Sequence, residues 1–219
     1  MPGKYSETDV RLSITLGVPI MCGDPTQTSL WATKSHAKRI FQQCDIPISV
    51  SAYDITDRKE FEQALSRLIA NNLDVNVWIF KIDDEFNGRG HASLDVEQVR
   101  TVVELRRKKV EMTEAVILRL QEVIQKILPR KAKIAQPTLY KNWDMYMQEF
   151  CRVGGVIEAA PPLCQLNQLQ SPTVSFLIEP DGKIELVGSY DKFAGSEFVN
   201  AGCFSPQTSL PSIDLLKIC

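Results

Sequence analysis

Val77-Trp78-Ile79-Phe80-Lys81-Ile82-Asp83-Asp84-Glu85-Phe86-Asn87-Gly88-Arg89-Gly90-His91 decides how this chain is read. The run from Val75 to Ile82 is β-branched and aromatic, and too short for a helix, so it reads as a buried strand. A lysine near the end of such a strand is costly to half-bury without an anionic partner, because desolvation disfavours its charge. Lys81 therefore calls for an anion, supplied either by Asp83 or Asp84 next door or by a ligand. In Asn87-Gly88-Arg89-Gly90 the glycines let backbone N–H groups approach a phosphate, and Arg89 adds a charged donor. The pattern is neither a Walker loop nor G-x-G-x-x-G. It is not a calcium loop either: Asp83, Glu85, Asn87 and Gly88 match positions 1, 3, 5 and 6, but position 12 is Leu94, where a bidentate Glu is required.

Working outward, the elements alternate. Asp9 to Leu16 reads as a helix ended by Gly17, followed by the apolar run Val18 to Cys22 and a turn at Gly23-Asp24-Pro25. Residues 1–29 resemble the end of a preceding α/β unit. Thr33 to Gln43 carries Ala37, Ile40, Phe41 and Cys44 at helical spacing, and Asp57 to Asn71 does so with Phe61, Ala64, Leu65, Leu68 and Ile69 behind an Asp cap. Val96 to Leu128 reads as one long helix or two abutting ones closed by Pro129. Val153 to Ala159 reads as a strand, and Thr173 to Ile178 with Lys183 to Val187 as a hairpin about Glu179-Pro180-Asp181-Gly182. Ser212 opens a helix cut off after about two turns. The class is mixed α+β.

Composition narrows the function. The 219 residues carry 25 Lys+Arg against 27 Asp+Glu, a formal charge of −2, which disfavours a nucleic-acid binder held by general phosphate attraction. Hydrophobic residues at 44% support a packed core rather than disorder. No apolar run is long enough to span a membrane and no signal peptide opens the chain, so a soluble cytoplasmic protein is expected. Six cysteines without a C-x-x-C pair argue for reduced packing residues rather than a zinc site or disulfide framework.

Three further features bear on chemistry. Thr33-Lys34-Ser35 opens a helix, where backbone N–H groups and the dipole favour an anion, although an exposed first-turn lysine is the commoner reading. Glu158 ends a strand and is followed by Ala159-Ala160-Pro161-Pro162; the carboxylate there suits an exocyclic amine and the backbone suits a purine edge, against the plainer reading of a strand-end charge. His91 and Asp95 are spaced as H-x-x-x-D, a frequent chance pattern that reads as decoration of a helix start.

As an ordered set these segments resemble an ATP-grasp domain: a helix-start lysine (Lys34) followed by Asp45-Ile46-Pro47-Ile48, a strand lysine (Lys81) before a glycine-rich flap, a hinge glutamate (Gly154-Gly155-Val156-Ile157-Glu158), and a hairpin with a Pro-Asp-Gly turn. Pro19 to Pro25, Ala37 to Phe41, Phe80 to Phe86 and Leu177 to Gly182 look more narrowly like the branch of that family found in IQ motif-containing proteins. The resemblance implies a two-lobed fold with the nucleotide between the lobes: residues 30–152 as the first lobe with a helical insertion near 97–133, and 153–219 as a partial second lobe. It implies ATP as ligand, with Lys34 and Lys81 on the phosphates, Asn87, Gly88, Arg89 and Gly90 as the flap, and Glu158, Ala159 and Ala160 bordering the adenine. It implies magnesium, with ligands expected beyond residue 219, and chemistry of the carboxylate-amine ligase type. No turnover by this chain alone is expected.

The competing expectation is a non-catalytic scaffold. Residues 97–133 hold ten Lys+Arg against five Glu, and such a basic amphipathic helix docks calmodulin-like or acidic partners through anchors such as Val116, Ile117, Leu120, Val123, Ile124 and Ile127. The plainer alternative is that this stripe packs on its own domain. Ile124-Gln125-Lys126-Ile127-Leu128-Pro129-Arg130 departs from an IQ motif, which gives no support to calmodulin binding of that kind.

Overall fold

A computed structural model describes residues 5–20, 23–108, 113–161 and 171–211. Its centre is aromatic. Asp57 caps helix α4 (Arg58–Asn71), its carboxylate accepting from the N–H groups of Lys59 and Glu60 at 2.8 and 3.1 Å, and Phe61, Leu65 and Ile69 follow at one-turn spacing as a fully buried stripe. Asn142 likewise caps α7 (Trp143–Val153) through the Met145 N–H at 2.9 Å, and that helix buries Trp143, Tyr146, Met147 and Phe150. Between them lies Phe80 of β2 (Val77–Ile82). The Phe61 ring meets Phe80 and Phe150 edge-on, with centroids 4.9 and 5.1 Å apart. Each such pair adds about 1 kcal/mol to the burial of its area.

Five strands form the sheet under these helices: β1 (Ser51–Ile55), β2, β3 (His91–Asp95), β4 (Lys133–Ile134) and β5 (Gly155–Ala159), in the order β1-β5-β2-β3-β4 with every pairing antiparallel. Side chains alternate across it. Trp78, Phe80, Ile82, Ala92, Leu94 and Ile157 enter the core, which leaves Ile79, Lys81, His91, Ser93 and Glu158 on the opposite face. The second sheet, β6 (Pro172–Ile178), β7 (Ile184–Ala194) and β8 (Asn200–Phe204), is a meander, with a 3-10 turn at Ser196–Phe198 before β8. Helices α1 (Glu7–Leu16), α2 (Pro25–Trp31), α3 (Lys34–Gln43), α5 (Arg100–Lys108) and α6 (Glu114–Lys131) complete the described chain.

Several expectations change. Asp24 does not end a turn but caps α2, accepting from Thr26 and Gln27 at 2.9 and 3.1 Å, and Val18–Ile20 forms no strand; Met21 and Cys22 lie outside the described residues. His91 to Asp95 is a strand, not a helix start, because pairing with β2 overrides weak local preference. The 96–128 segment is two helices, and Pro129 lies inside α6: the N–H it lacks is missing only near the C-terminus, and Ala132 still donates to the Leu128 carbonyl at 3.0 Å. Strands β1, β3, β4 and β8 and helices α2 and α7 were not expected. Strand β5, placed beyond the lobe boundary at 152, sits between β1 and β2 of the first sheet. The helix expected from Ser212 lies outside the described residues.

Candidate functional site

Lys81 and Glu158 meet on the face of the five-stranded sheet turned away from the aromatic core. Ile79 of β2 is the register partner of Glu158, so the carboxylate stands diagonally from Lys81, two residues along, within reach of a long side chain. Lys81 Nζ pairs with Glu158 Oε1, and Lys38 Nζ, from α3, pairs with Oε2 at 3.0 Å. Burial pushes the Glu158 carboxyl upward, but the two ammonium groups outweigh it and hold it below the usual glutamate range. The carboxylate thus stays charged, and among the chain's own carboxylates Lys81 turns to Glu158, not to Asp83 or Asp84.

Lys34 is held differently. Thr33 caps α3, and Lys34 Nζ donates to the carbonyls of Ile82 at 2.7 Å, Asp83 at 3.2 Å and Glu85 at 2.6 Å, which accounts for all three ammonium protons. Burial lowers its pKa, with Lys81 adding to the effect while Asp83, Asp84 and Glu85 oppose it. The helix N-terminus is also filled: buried Asp83 accepts from the Ser35 N–H at 2.9 Å and the Ser35 hydroxyl at 3.0 Å. The anion expected at this terminus is therefore a carboxylate of the chain itself. Lys34 still lines the cleft, as a brace between α3 and the end of β2.

The flap divides. Asn87 (φ 53°) and Gly88 (φ 81°) border the cleft, and a Cβ on Gly88 would come 2.7 Å from Val199 Cα, so the flap backbone lies directly on the segment before β8. Arg89 turns away to Glu85, Nε to Oε2 3.2 Å, and Gly90 packs beneath Glu85 and Ile82. The buried Tyr146 hydroxyl donates to the Gly90 carbonyl at 3.0 Å, and Tyr140 donates to Glu85 at 3.2 Å, with burial and that carboxylate raising the Tyr140 pKa to about 12. At the hinge the Ala159 and Ala160 N–H groups are already donated to Val50 and Val77 carbonyls, at 2.9 Å each, and are not free to read a purine edge.

Around these residues runs a cavity of about 590 Å³, within the range of small-molecule sites. Its floor is Ile79, Lys81, His91 and Glu158; its far wall is Lys192, Phe193, Phe198 and Asn200 from the second sheet and its connections. A second cavity of about 360 Å³ shares Lys34, Lys81, His91 and Glu158 and extends over Phe41, Pro47 and Ile48. Sequence reasoning gave no role to Lys38, His91, Lys192 or the two phenylalanines. Lys38 was findable, standing one turn after Lys34 on the same helical face; His91 was findable once its strand was paired to Lys81.

The arrangement is that of an ATP-grasp fold. D-alanyl-alanine synthetase A from Vibrio cholerae O1 biovar eltor superposes with a TM-score of 0.53 at 13% identity, over 99% of this chain and 54% of that one. A family profile described as IQCH-like, ATP-grasp matches residues 25–219, and the chain belongs to that family. IQ motif-containing protein H of Danio rerio is 30% identical over 228 residues, covering 99% of this chain and 21% of the relative, so the chain spans about a fifth of that relative's length.

Proposed function

We propose that the cleft between the two sheets binds ATP, and that this segment supplies nucleotide binding to a longer protein without ligase turnover of its own. The observation that carries the reading is the joining of Lys81 and Glu158 on adjacent strands, on the floor of a cavity closed on one side by Asn87 and Gly88 and on the other by Phe193 and Phe198. Four lysines (Lys34, Lys38, Lys81, Lys192) against two carboxylates (Glu85, Glu158) line the two cavities and suit phosphates, and Ile79 with the phenylalanines suits a base. Lys81 would hold a phosphate, with Lys34 contributing charge rather than a direct donor, and Glu158 would face the base. Arg89, Gly90 and the N–H groups of Ala159 and Ala160 are not assigned contacts.

Magnesium would neutralise phosphate charge in such a site. Among the described residues no cluster of three or more His, Cys, Asp or Glu is placed to hold it. The scaffold alternative is less favoured, because Leu120 and Ile124, two of its anchors, are fully buried and Val116, Ile117, Val123 and Ile127 pack against the same core. Among the described residues no helix is long and apolar enough to cross a membrane, and the cytoplasm is the proposed location.

Calorimetric titration of ATP, with and without magnesium, tests the binding half of the proposal: saturable binding by the wild type, weakened at least tenfold in Lys81→Ala, is expected. Phosphate release from ATP by the purified chain, lost in Lys81→Ala, would contradict the absence of turnover.

A further inference from the structure

His91 has no part in the proposed ATP contacts, yet it lines both cavities. It stands directly across the ladder from Lys81, on the cleft face of β3. Its Nδ1 is buried without a hydrogen-bond partner, a costly state for a ring nitrogen, and the Phe198 carbonyl lies within reach of the ring as an acceptor. The neighbouring charges are Lys34 of α3, Lys81 of β2 and Glu158 of β5, with Glu85 before the flap and Lys192 of β7 on the same cavity wall. Two of the three nearest are cations. Resting on the nucleotide-cleft reading, we infer that His91 is a polyphosphate ligand that takes up one proton from solvent as the anion settles between Lys34 and Lys81.

With the cleft empty, burial first and then Lys81 and Lys34 hold the ring neutral, at a pKa of about 4. A polyphosphate brings several negative charges into the same space and reverses the sign of that field. The imidazolium then has two N–H donors and two acceptors: the Phe198 carbonyl and a phosphate oxygen. No other bond is made or broken. Glu158 is kept charged by Lys38 and Lys81 and does not compete for the proton near neutral pH. Binding and protonation are thereby linked, each favouring the other.

The test titrates inorganic tripolyphosphate and ATP into the wild type and into His91→Asn between pH 7.5 and 5.5. Calorimetry in two buffers of different ionisation enthalpy counts the protons taken up. The wild type should bind more tightly as pH falls, by at most about tenfold per unit for one linked proton, beyond any dependence that the variant shows. It should also take up a fraction of a proton that the variant does not. Equal pH slopes and equal uptake in wild type and variant would overturn the inference while leaving the nucleotide cleft intact. No binding of either probe by the wild type at any pH would overturn both. Should the variant not fold, the wild-type His91 ring resonances decide: a pKa raised by tripolyphosphate supports the linkage, and an unmoved one rejects it.

Discussion

Glu158 is the counter-ion of Lys81 and, at 3.0 Å, of Lys38 as well, so one carboxylate on β5 organises two ammonium groups from β2 and α3. The three side chains are largely shielded, at 14%, 23% and 12% exposure for Glu158, Lys81 and Lys38. Removing one partner of such a cluster is more damaging than the attraction alone suggests, since the remaining charges stay desolvated. Glu158→Gln is expected to lower stability by roughly 2–4 kcal/mol, read as a shift in the urea midpoint. An unchanged midpoint would show that the two lysines find water instead.

Lys34 and Lys81 should separate in the same assay. Lys34 satisfies three backbone carbonyls, and Lys34→Ala is expected to cost about 2–3 kcal/mol, since hydrogen bonds from a charged donor are the stronger kind. Lys81→Ala leaves Glu158 with Lys38 and should destabilise by less. The reverse order would contradict the bracing role given to Lys34.

Gly88 combines a left-handed φ of 81° with Val199 Cα at 2.7 Å from where a Cβ would stand. Gly88→Ala is expected to lose about 1–3 kcal/mol and to loosen the flap from the second sheet, seen as faster amide exchange at residues 87–90. Gly17→Ala, with a φ of 62° and nothing within 4 Å, serves as a control at about 1 kcal/mol.

The His91 pKa gives stability a pH dependence. Its folded value of about 4 lies below its ordinary 6.5, so the unfolded chain binds the proton more readily. Stability is therefore full above 6.5 and declines as pH falls toward 4, by up to roughly 3 kcal/mol from this group. Urea midpoints between pH 7.5 and 4.5 should fall less steeply in His91→Asn than in the wild type.

The residues most legible in sequence were those whose local pattern and final role coincide. Asp57 and the Phe61-Leu65-Ile69 stripe announce α4, and the short apolar run before Asp83 announces β2. The cleft was legible as a set of types, Lys81 and Glu158 among them, but not as pairs, because Glu158 and Lys81 are 77 positions apart and only the β2–β5 register joins them. Lys34 read as a phosphate ligand, since nothing local shows that the Ile82 and Glu85 carbonyls will take its protons. Strand β3 was hidden by its composition: His91-Ala92-Ser93-Leu94-Asp95 has weak strand preference and is fixed by pairing on both sides.

The most direct measurement is the melting midpoint of the purified chain with and without MgATP, for wild type and Lys81→Ala in parallel. A ligand at a hundred times its dissociation constant stabilises by about 2.7 kcal/mol, a rise of roughly 2–4 °C per kcal/mol and so of several degrees for a domain of this size. The nucleotide-cleft account predicts that rise in the wild type and its loss in a folded Lys81→Ala. No rise in a folded wild type, or an equal rise in both proteins, would contradict it.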